Sequence, residues 1–198
     1  MAGLDYDGTE WSTCFYHGVD NKIKKMFGIN SNNMSLGNLW SKCTRFIFKL
    51  SAGYPRGSQA GSVMAMAAFG DPDKYYKDFM AMATSDFVKI LVPPKGMVRG
   101  EHVPPDEDVL HPYLNKYRLI AENSEQEKFN MAASLQKVTE DITFDLINQV
   151  IEHCSKSNIK CENLCLSGGV SLNSVMTGKM VDKFKGKIKN FYVPPVPY

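Results

Sequence analysis

Two adjacent glycines near the C-terminal end of the chain form the arrangement best suited to binding a charged ligand. Gly168 and Gly169 follow an apolar segment that is predicted to be a strand, and a helix is predicted to begin at Val170. Glycines let a backbone approach a ligand closely, and the first amides of a helix favour an anion such as a phosphate. Asn173 lies about one helical turn further on, where we expect its side chain to hydrogen-bond a base or a ribose. The alternative is a strand-to-helix turn that needs glycine only for its backbone angles, and the spacing matches neither the dinucleotide fingerprint nor the P-loop.

A second candidate lies at the N-terminal end, in residues 5–11. Asp7, Gly8 and Thr9 combine a carboxylate with a tight glycine turn. Carboxylates can hold a hydrated Mg²⁺, and a glycine turn can come close to a phosphate. The alternative is an ordinary Asp-Gly hairpin turn, which is a common structure.

Histidine and cysteine side chains occur in two further places, but we predict no metal site at either. Cys161 and Cys165, with His153 and Cys154 before them, do not form the paired spacing of zinc knuckles. The loop 101–111 mixes histidine and carboxylates, yet its prolines favour a solvated connection. No serine or cysteine has the flanking histidines of a nucleophile system, so the catalytic residues are not assigned.

The elements that would position these residues follow from turn signals and hydrophobic periodicity. The first half is predicted to contain a hairpin, several helices and loops. The predicted segments are strands 12–17 and 22–29 around a turn at 18–21, helices 36–50 and 61–69, and a loop at 51–58. A further helix is predicted to start at Pro72, with Asp71 as its N-cap, and to lead into residues 75–82. A strand at 88–92 and an irregular loop at 93–125 follow.

The second half begins with the longest periodic segment, a helix predicted from residue 127 to about 156. A compact unit follows: strand 163–166, turn 167–169, helix 170–184 and strand 188–193. The alternation of strands and helices predicts an α/β layered domain.

The composition restricts the class of protein. With 198 residues, 43% hydrophobic and 22% charged, the chain is ordinary for a globular domain, and its net charge of +2 gives no reason to expect nucleic acid. No apolar run approaches the roughly 20 residues of a membrane helix, and no signal peptide is evident. Five scattered cysteines favour a reducing cytoplasm over a disulfide framework. Both ends interrupt an element, so we expect an incomplete unit.

Four segments, in the same order along the chain, together resemble one known family. Residues 5–11 resemble its Asp-Gly strand-turn, and 61–72 resemble its signature Gly-Lys-x-Met-Gly-Leu-Ala-x-Tyr-Gly-x-Pro. Residues 132–140 resemble its long helix, and 164–174 resemble its motif Leu-Ala-Gly-Gly-Val-Ala-Leu-Asn. The family is the NodU/TobZ-type O-carbamoyltransferases, whose main domain is Kae1-like.

The resemblance implies a single domain over 1–198, the second or C-terminal ribonuclease-H-like lobe of an actin-like ATPase fold, with a mixed sheet flanked by helices. It also implies a reaction that uses ATP with Mg²⁺ and carbamoyl phosphate to form a carbamoyl-adenylate, whose carbamoyl group passes to a hydroxyl. The implied nucleotide-binding residues are Asp7, Gly8, Thr9, Gly168, Gly169, Val170 and Asn173.

The sequence departs from the family pattern in ways that bear on activity. Ser62 stands where the family usually has lysine, and Ala60 stands where some members have an acidic residue. The ligands of the family's divalent metal, expected to be iron, are absent from this chain. We therefore expect the isolated chain to be inactive and to depend on the missing N-terminal lobe or on self-association. The alternatives are a non-catalytic actin-like binding module that serves a partner protein and, third, a kinase of the sugar-kinase group.

Overall fold

The computed structural model describes residues 3–4, 10–30, 35–50, 59–83 and 112–194. The predicted loop at 51–58, the predicted strand at 88–92 and the candidate site residues Asp7, Gly8 and Thr9 lie outside these ranges.

The first described unit is an antiparallel sheet. It contains β1 (Gly3–Leu4), β2 (Glu10–Val19) and β3 (Lys22–Asn30), in that order across the sheet. Val19 pairs with Lys22, so two residues make the turn, and the first of them, Asp20, has a positive φ of 53°. Aspartate tolerates this left-handed conformation better than most residues do. The predicted hairpin is therefore confirmed, with strands longer than expected.

Three helices follow in the first half of the chain. They are α1 (Leu36–Lys42), which continues as a π-helical turn over Cys43–Ile47, α2 (Ala60–Met66), which continues as a 3₁₀ turn over Ala67–Phe69, and α3 (Tyr76–Ala83). The helices predicted in these regions are confirmed, and the prediction missed the changes of helix type at their C-terminal ends.

The predicted start of α3 was wrong. The helix begins at Tyr76 rather than Pro72, and Asp71 is not its N-cap. The Asp71 backbone amide donates to the Asn130 Oδ1 atom at 2.8 Å, and the Asp71 side chain accepts from the Asp73 amide at 2.9 Å. These bonds hold the segment as a turn against another helix, so the tertiary contact overrides the local helix-start signal.

The irregular connection predicted over 93–125 was also wrong in its last part. Residues Pro112–Asn123 form helix α4, with proline at the first position, where its missing amide has no cost. Helix α5 (Glu125–Lys156) follows after Ser124, whose hydroxyl caps it by accepting from the Glu127 amide at 3.3 Å. The predicted long helix is confirmed.

The C-terminal unit differs from its prediction in one respect. Its elements are β4 (Asn163–Cys165), a 3₁₀ turn (Gly169–Leu172), α6 (Ser174–Lys183) and β5 (Asn190–Tyr192). The strands β4 and β5 pair in parallel. The single helix predicted over 170–184 was wrong, because the residue between the 3₁₀ turn and α6 leaves helical geometry and caps α6.

The mixed α/β content is confirmed. Within the described ranges the strands form two separate sheets, one antiparallel with three strands and one parallel with two, rather than a single mixed sheet. The ribonuclease-H-like lobe of an actin-like fold stays a prediction. None of the described helices is both long enough and apolar enough to cross a membrane.

Helix α5 carries two apolar clusters, one along each half. On its first half, α1 to α4 bury a cluster that includes Phe79 and Tyr117. On its second half, α6 buries a cluster around Met176 and Phe184. Full burial of a side chain of this kind stabilises the fold by about 1.5–3 kcal/mol. Because α5 contributes residues to both clusters, it is the helix against which the other helices pack. The two-glycine turn lies directly before α6, beside the second cluster.

Candidate functional site

The turn after β4 is built around the backbone of Gly168. The parallel pairing extends one residue past β4, where the Leu166 amide donates to the Tyr192 carbonyl at 2.9 Å. Gly168 then adopts φ 97° and ψ 161°, a conformation that only glycine adopts without strain. Its carbonyl accepts from the Ser171 amide at 3.0 Å and from the Ser171 hydroxyl at 2.6 Å. Gly168 therefore has a structural reason to be glycine.

Gly169 has no such reason within the described residues. Its φ is not in the left-handed region, the residue is exposed, and a Cβ added there would meet no heavy atom within 4 Å. The turn alone therefore accounts for the first glycine and not for the second. The open space beside Gly169 is the feature that fits the close approach of a ligand to the backbone.

The position of the turn also suits an anion. It follows the carboxyl end of a strand in a parallel pair, where ligands bind in open α/β sheets. The first amides of a helix lack intrahelical acceptors and point away from its N-terminus. The 3₁₀ turn Gly169–Leu172 has four residues, so its summed dipole is small. Direct amide hydrogen bonds would therefore supply most of the attraction for a phosphate.

Asn173 connects the 3₁₀ turn to α6. It has φ −70° and ψ 92°, and its Oδ1 atom accepts from the Met176 amide at 3.1 Å, as an N-cap does. Its own amide donates to the Val170 carbonyl at 3.1 Å. The side chain is only 4% exposed. Its contact with a nucleotide stays a prediction, and the structure gives it a capping role that sequence analysis did not foresee.

A buried polar network lies beneath Asn173. The amide groups of Gln136 and Asn173 bond each other reciprocally, with Nδ2 of Asn173 donating to Oε1 of Gln136 at 2.7 Å and Nε2 of Gln136 donating to Oδ1 of Asn173 at 3.1 Å. The same Nε2 atom lies 2.8 Å from Oε1 of Glu140. Lys179 of α6 donates to both Glu140 oxygens, at 2.9 and 2.8 Å. Every member of this network has a partner, as buried polar groups require.

Sequence reasoning missed Gln136 and Glu140 as part of this region. Both are at least nine-tenths buried on α5, at 5% and 6% exposure. They are four residues apart on the face that also carries Ala132, so they are polar residues on a buried face. That interruption of the apolar pattern was the available signal.

Helix α1 also lies next to the turn. A Cβ at Gly37 would lie 3.9 Å from a methyl group of Val170, so the start of α1 is next to the turn. The indole of Trp40 donates to the hydroxyl of Thr139 at 2.8 Å in a buried position, which ties α1 to α5. The helices α1, α5 and α6 thus all contact the turn or the residue that ends it.

The segment 61–72 divides into a structural part and an exposed part. A Cβ at Gly70 would lie 2.0 Å from the carbonyl oxygen of Phe129, so this glycine is required by close packing of the backbone against α5. Ala60 is half-buried and Ser62 is exposed on α2, which carries no charged side chain. Gly70 is thereby explained by packing, without reference to a ligand.

The cysteines are free thiols. Burial raises the pKa of the Cys161 thiol to about 11, and the neighbouring Cys154 adds to the shift. A neutral thiol is a poor metal ligand. Among the described residues no group of three or more His, Cys, Asp or Glu side chains is arranged to hold a metal ion.

Of the predicted site residues, the structure brings together the turn residues and Asn173, while the N-terminal group lies outside the described ranges. Gly168, Gly169 and Val170 form the turn itself, and Asn173 anchors its far end.

The chain matches a family model described as carbamoyltransferase N-terminus over residues 2–198. A 70-residue stretch is 41% identical to the uncharacterized protein sll1178 of Synechocystis sp.. That stretch covers 35% of this chain and 10% of the relative, so the chain spans only a small part of that protein's length. Because the family model covers nearly all of the sequence, the chain belongs to the carbamoyltransferase family.

Proposed function

We propose that this chain is the nucleotide-binding lobe of an O-carbamoyltransferase and that it binds Mg-ATP at the turn formed by Gly168, Gly169 and Val170. The observation that carries the proposal is the combination of position and space: the turn follows the carboxyl end of β4 in the parallel pair, and Gly169 within it is exposed with no heavy atom within 4 Å of an added Cβ. Membership of the carbamoyltransferase family supplies the chemistry for which a phosphate-binding turn would be needed.

Each residue of the turn has a different role in the proposed site. Gly168 sets the direction of the turn, and its carbonyl is already engaged by Ser171. The amides of Gly169 and Val170 donate to phosphate oxygens of the nucleotide. Asp7, Gly8 and Thr9 supply a second contact to the phosphates or to Mg²⁺, as the resemblance implies. Asn173 lies at the adenosine side and is held by Gln136.

The proposed overall reaction takes ATP and carbamoyl phosphate, forms a carbamoyl-adenylate and passes the carbamoyl group to a hydroxyl. In this scheme the chain supplies the second lobe, a first lobe completes the cleft, and the isolated chain does not catalyse transfer. The divalent metal of the family finds no ligand set among the described side chains. We therefore propose no step of the reaction that passes through a metal held by these residues.

A second candidate function is a non-catalytic binding module of the same fold that serves a partner protein. The absence of charge on α2 favours it, because Ser62 is exposed at a position where the resembled signature has lysine. A lysine there would attract the phosphates of a nucleotide. If Ser62→Lys strengthens Mg-ATP binding, the nucleotide site extends to α2 and serine at this position weakens it. If the variant leaves binding unchanged, the site is limited to the turn.

The test is calorimetric titration of Mg-ATP into the chain and into Gly169→Asp. The variant places a side chain and a negative charge in the open space where the phosphates would lie. We expect it to weaken binding by at least about tenfold, equivalent to about 1.4 kcal/mol.

Gly178→Asp is the matched control. Gly178 lies on α6, is exposed, and also has no heavy atom within 4 Å of an added Cβ. The control adds the same charge and volume away from the turn, so it should bind Mg-ATP as the unchanged chain does. Absence of binding up to millimolar Mg-ATP, or equal binding by Gly169→Asp, contradicts the proposal.

A further inference from the structure

The reciprocal amide pair between Gln136 and Asn173 joins two helices directly under the turn. Its two bonds measure 2.7 and 3.1 Å, and both side chains are at least 95% buried, at 5% and 4% exposure. Gln136 is on α5 and Asn173 is the N-cap of α6. Because the pair is shielded from water, its two hydrogen bonds do not compete with hydrogen bonds to solvent.

The pair fixes which way the Asn173 amide faces. Oδ1 of Asn173 accepts two bonds, one from Nε2 of Gln136 and one from the Met176 amide. A flipped amide would turn an NH₂ group toward two donors and lose both bonds. The orientation that caps α6 is therefore the orientation that Gln136 selects.

Gln136 is itself held by a closed circuit that returns to α6. Its Nε2 atom donates to Glu140, and Glu140 accepts from Lys179 of α6 at 2.8 Å. Glu140 is 6% exposed, and a buried carboxylate of this kind is costly unless it is paired. The circuit therefore resists any rotation of Gln136 and ties α5 to α6 at two points.

The effect reaches the turn through the backbone of Asn173. The Asn173 amide donates to the Val170 carbonyl at 3.1 Å, and the Ser171 amide donates to the Gly168 carbonyl at 3.0 Å. Moving Asn173 thus changes the 3₁₀ geometry that aims the amides of Gly169 and Val170.

We infer that Gln136 is a positioning residue for the nucleotide turn: it holds Asn173 in its capping orientation, and so aligns the phosphate-binding amides, without touching the ligand. The expected effect on ligand binding rests on the proposed nucleotide-binding function. The alignment of the turn itself can be measured without nucleotide.

Gln136→Met tests it, because methionine keeps the length and volume of the side chain and removes both bonds to Asn173. The matched control is Asn130→Leu, which removes an equally buried amide from the same helix. Asn130 is 5% exposed and bonds Asp71 rather than the turn. Two quantities are measured for each variant: the dissociation constant for Mg-ATP and the hydrogen-exchange protection of the amides of Ser171, Asn173 and Met176.

We expect Gln136→Met to raise the dissociation constant at least about tenfold and to lower protection of these three amides at least about tenfold more than protection of amides elsewhere in α5. The control should leave the dissociation constant within about twofold, and it should lower protection of the three amides no more than it lowers protection of amides elsewhere in α5. If Gln136→Met does not fold, Gln136→Leu replaces it, since leucine also lacks the amide and adds no second buried carboxylate beside Glu140.

The two proposals fail in different ways. If the unchanged chain binds Mg-ATP and the Gln136 variant binds equally well, the positioning role is overturned and the nucleotide site stands. If the unchanged chain does not bind Mg-ATP, the proposed function fails, and amide protection alone decides the role of Gln136. Unchanged protection of the three amides in the variant then overturns it.

Discussion

Gly168 and Gly169 are neighbours with different structural demands. Gly168 has φ 97° and needs glycine for its backbone, whereas Gly169 has neither an unusual φ nor a close neighbour that excludes a side chain. A turn required only by the chain would explain the first residue and leave the second unconstrained. In the proposed function, a ligand that approaches the backbone closely would give the second residue a reason to be glycine.

Alanine at each position should distinguish these demands. Gly168→Ala should lower the free energy of unfolding by about 1–3 kcal/mol, because alanine is strained at that φ and ψ. Gly169→Ala should leave it unchanged or raise it by up to about 1 kcal/mol, since nothing opposes the added methyl group and alanine restricts the unfolded chain. Urea unfolding at pH 7 measures both. Equal destabilisation by the two variants would show that Gly169 is also required by the fold.

Sequence reasoning at the residue scale found the turn but not the role of Asn173. It placed Asn173 inside a helix, because the apolar pattern continues from Val170 into α6. Asparagine is among the best N-cap residues, and tertiary bonds to Gln136 favour the cap here. A partner 37 positions away in the chain is not visible in local propensity.

At the scale of elements, the packing of the segment before α3 against α5 depends on the absence of a side chain at Gly70. An added Cβ would approach the Phe129 carbonyl oxygen to 2.0 Å and the Asn130 nitrogen to 2.6 Å. Both are backbone atoms of a helix, which cannot move without loss of helical hydrogen bonds. Ser134 of α5 adds a further hydrogen bond, because its hydroxyl accepts from the Tyr75 amide at 3.0 Å.

Gly70→Ala should therefore destabilise the protein by about 1–3 kcal/mol or more, as other overpacked positions do. Gly61→Ala is the matched control, because its Cβ would meet no heavy atom within 4 Å and it lies in α2. The control should be more stable by about 0.4–1 kcal/mol. Thermal unfolding followed by circular dichroism compares them. A Gly70→Ala protein as stable as the unchanged chain would contradict the packing shown here.

The sequence located elements with strong periodicity and missed those set by context. Helix α5 follows an apolar repeat over 32 residues and was predicted almost to its ends. Helix α4 was missed because the prolines before it dominate the local pattern, although Pro112 is compatible with a first helical position. The start of α3 was misplaced because a local signal at Pro72 was weaker than the bond between Asp71 and Asn130.

At the scale of the whole molecule, α5 connects two apolar clusters and the candidate site. The larger cluster lies against its first half and the smaller against its second half, and Val170 of the turn packs against the smaller cluster. The junction before α3 is fastened to the start of α5 by Tyr75, whose hydroxyl donates to Oε2 of Glu127 at 2.6 Å. Stability of the whole chain should therefore respond to the ionisation of this tyrosine.

Burial, followed by the hydrogen bond to Glu127, raises the pKa of Tyr75 to about 12. A group whose pKa is raised in the folded state contributes stability below its unfolded pKa of about 10. That contribution is lost as the pH rises from about 10 through 12. Tyr75→Phe should thus show a shallower loss of stability over this interval than the unchanged chain, measured by urea unfolding at several pH values. Identical slopes would contradict the assignment.

Amide chemical shifts of the labelled chain titrated with Mg-ATP test most directly whether nucleotide binds at the turn. The largest shift changes should occur at Gly169 and Val170, with Gly178 in the middle of α6 little affected. Unchanged shifts at the turn in millimolar Mg-ATP, or largest changes in the hairpin of β2 and β3, would contradict it.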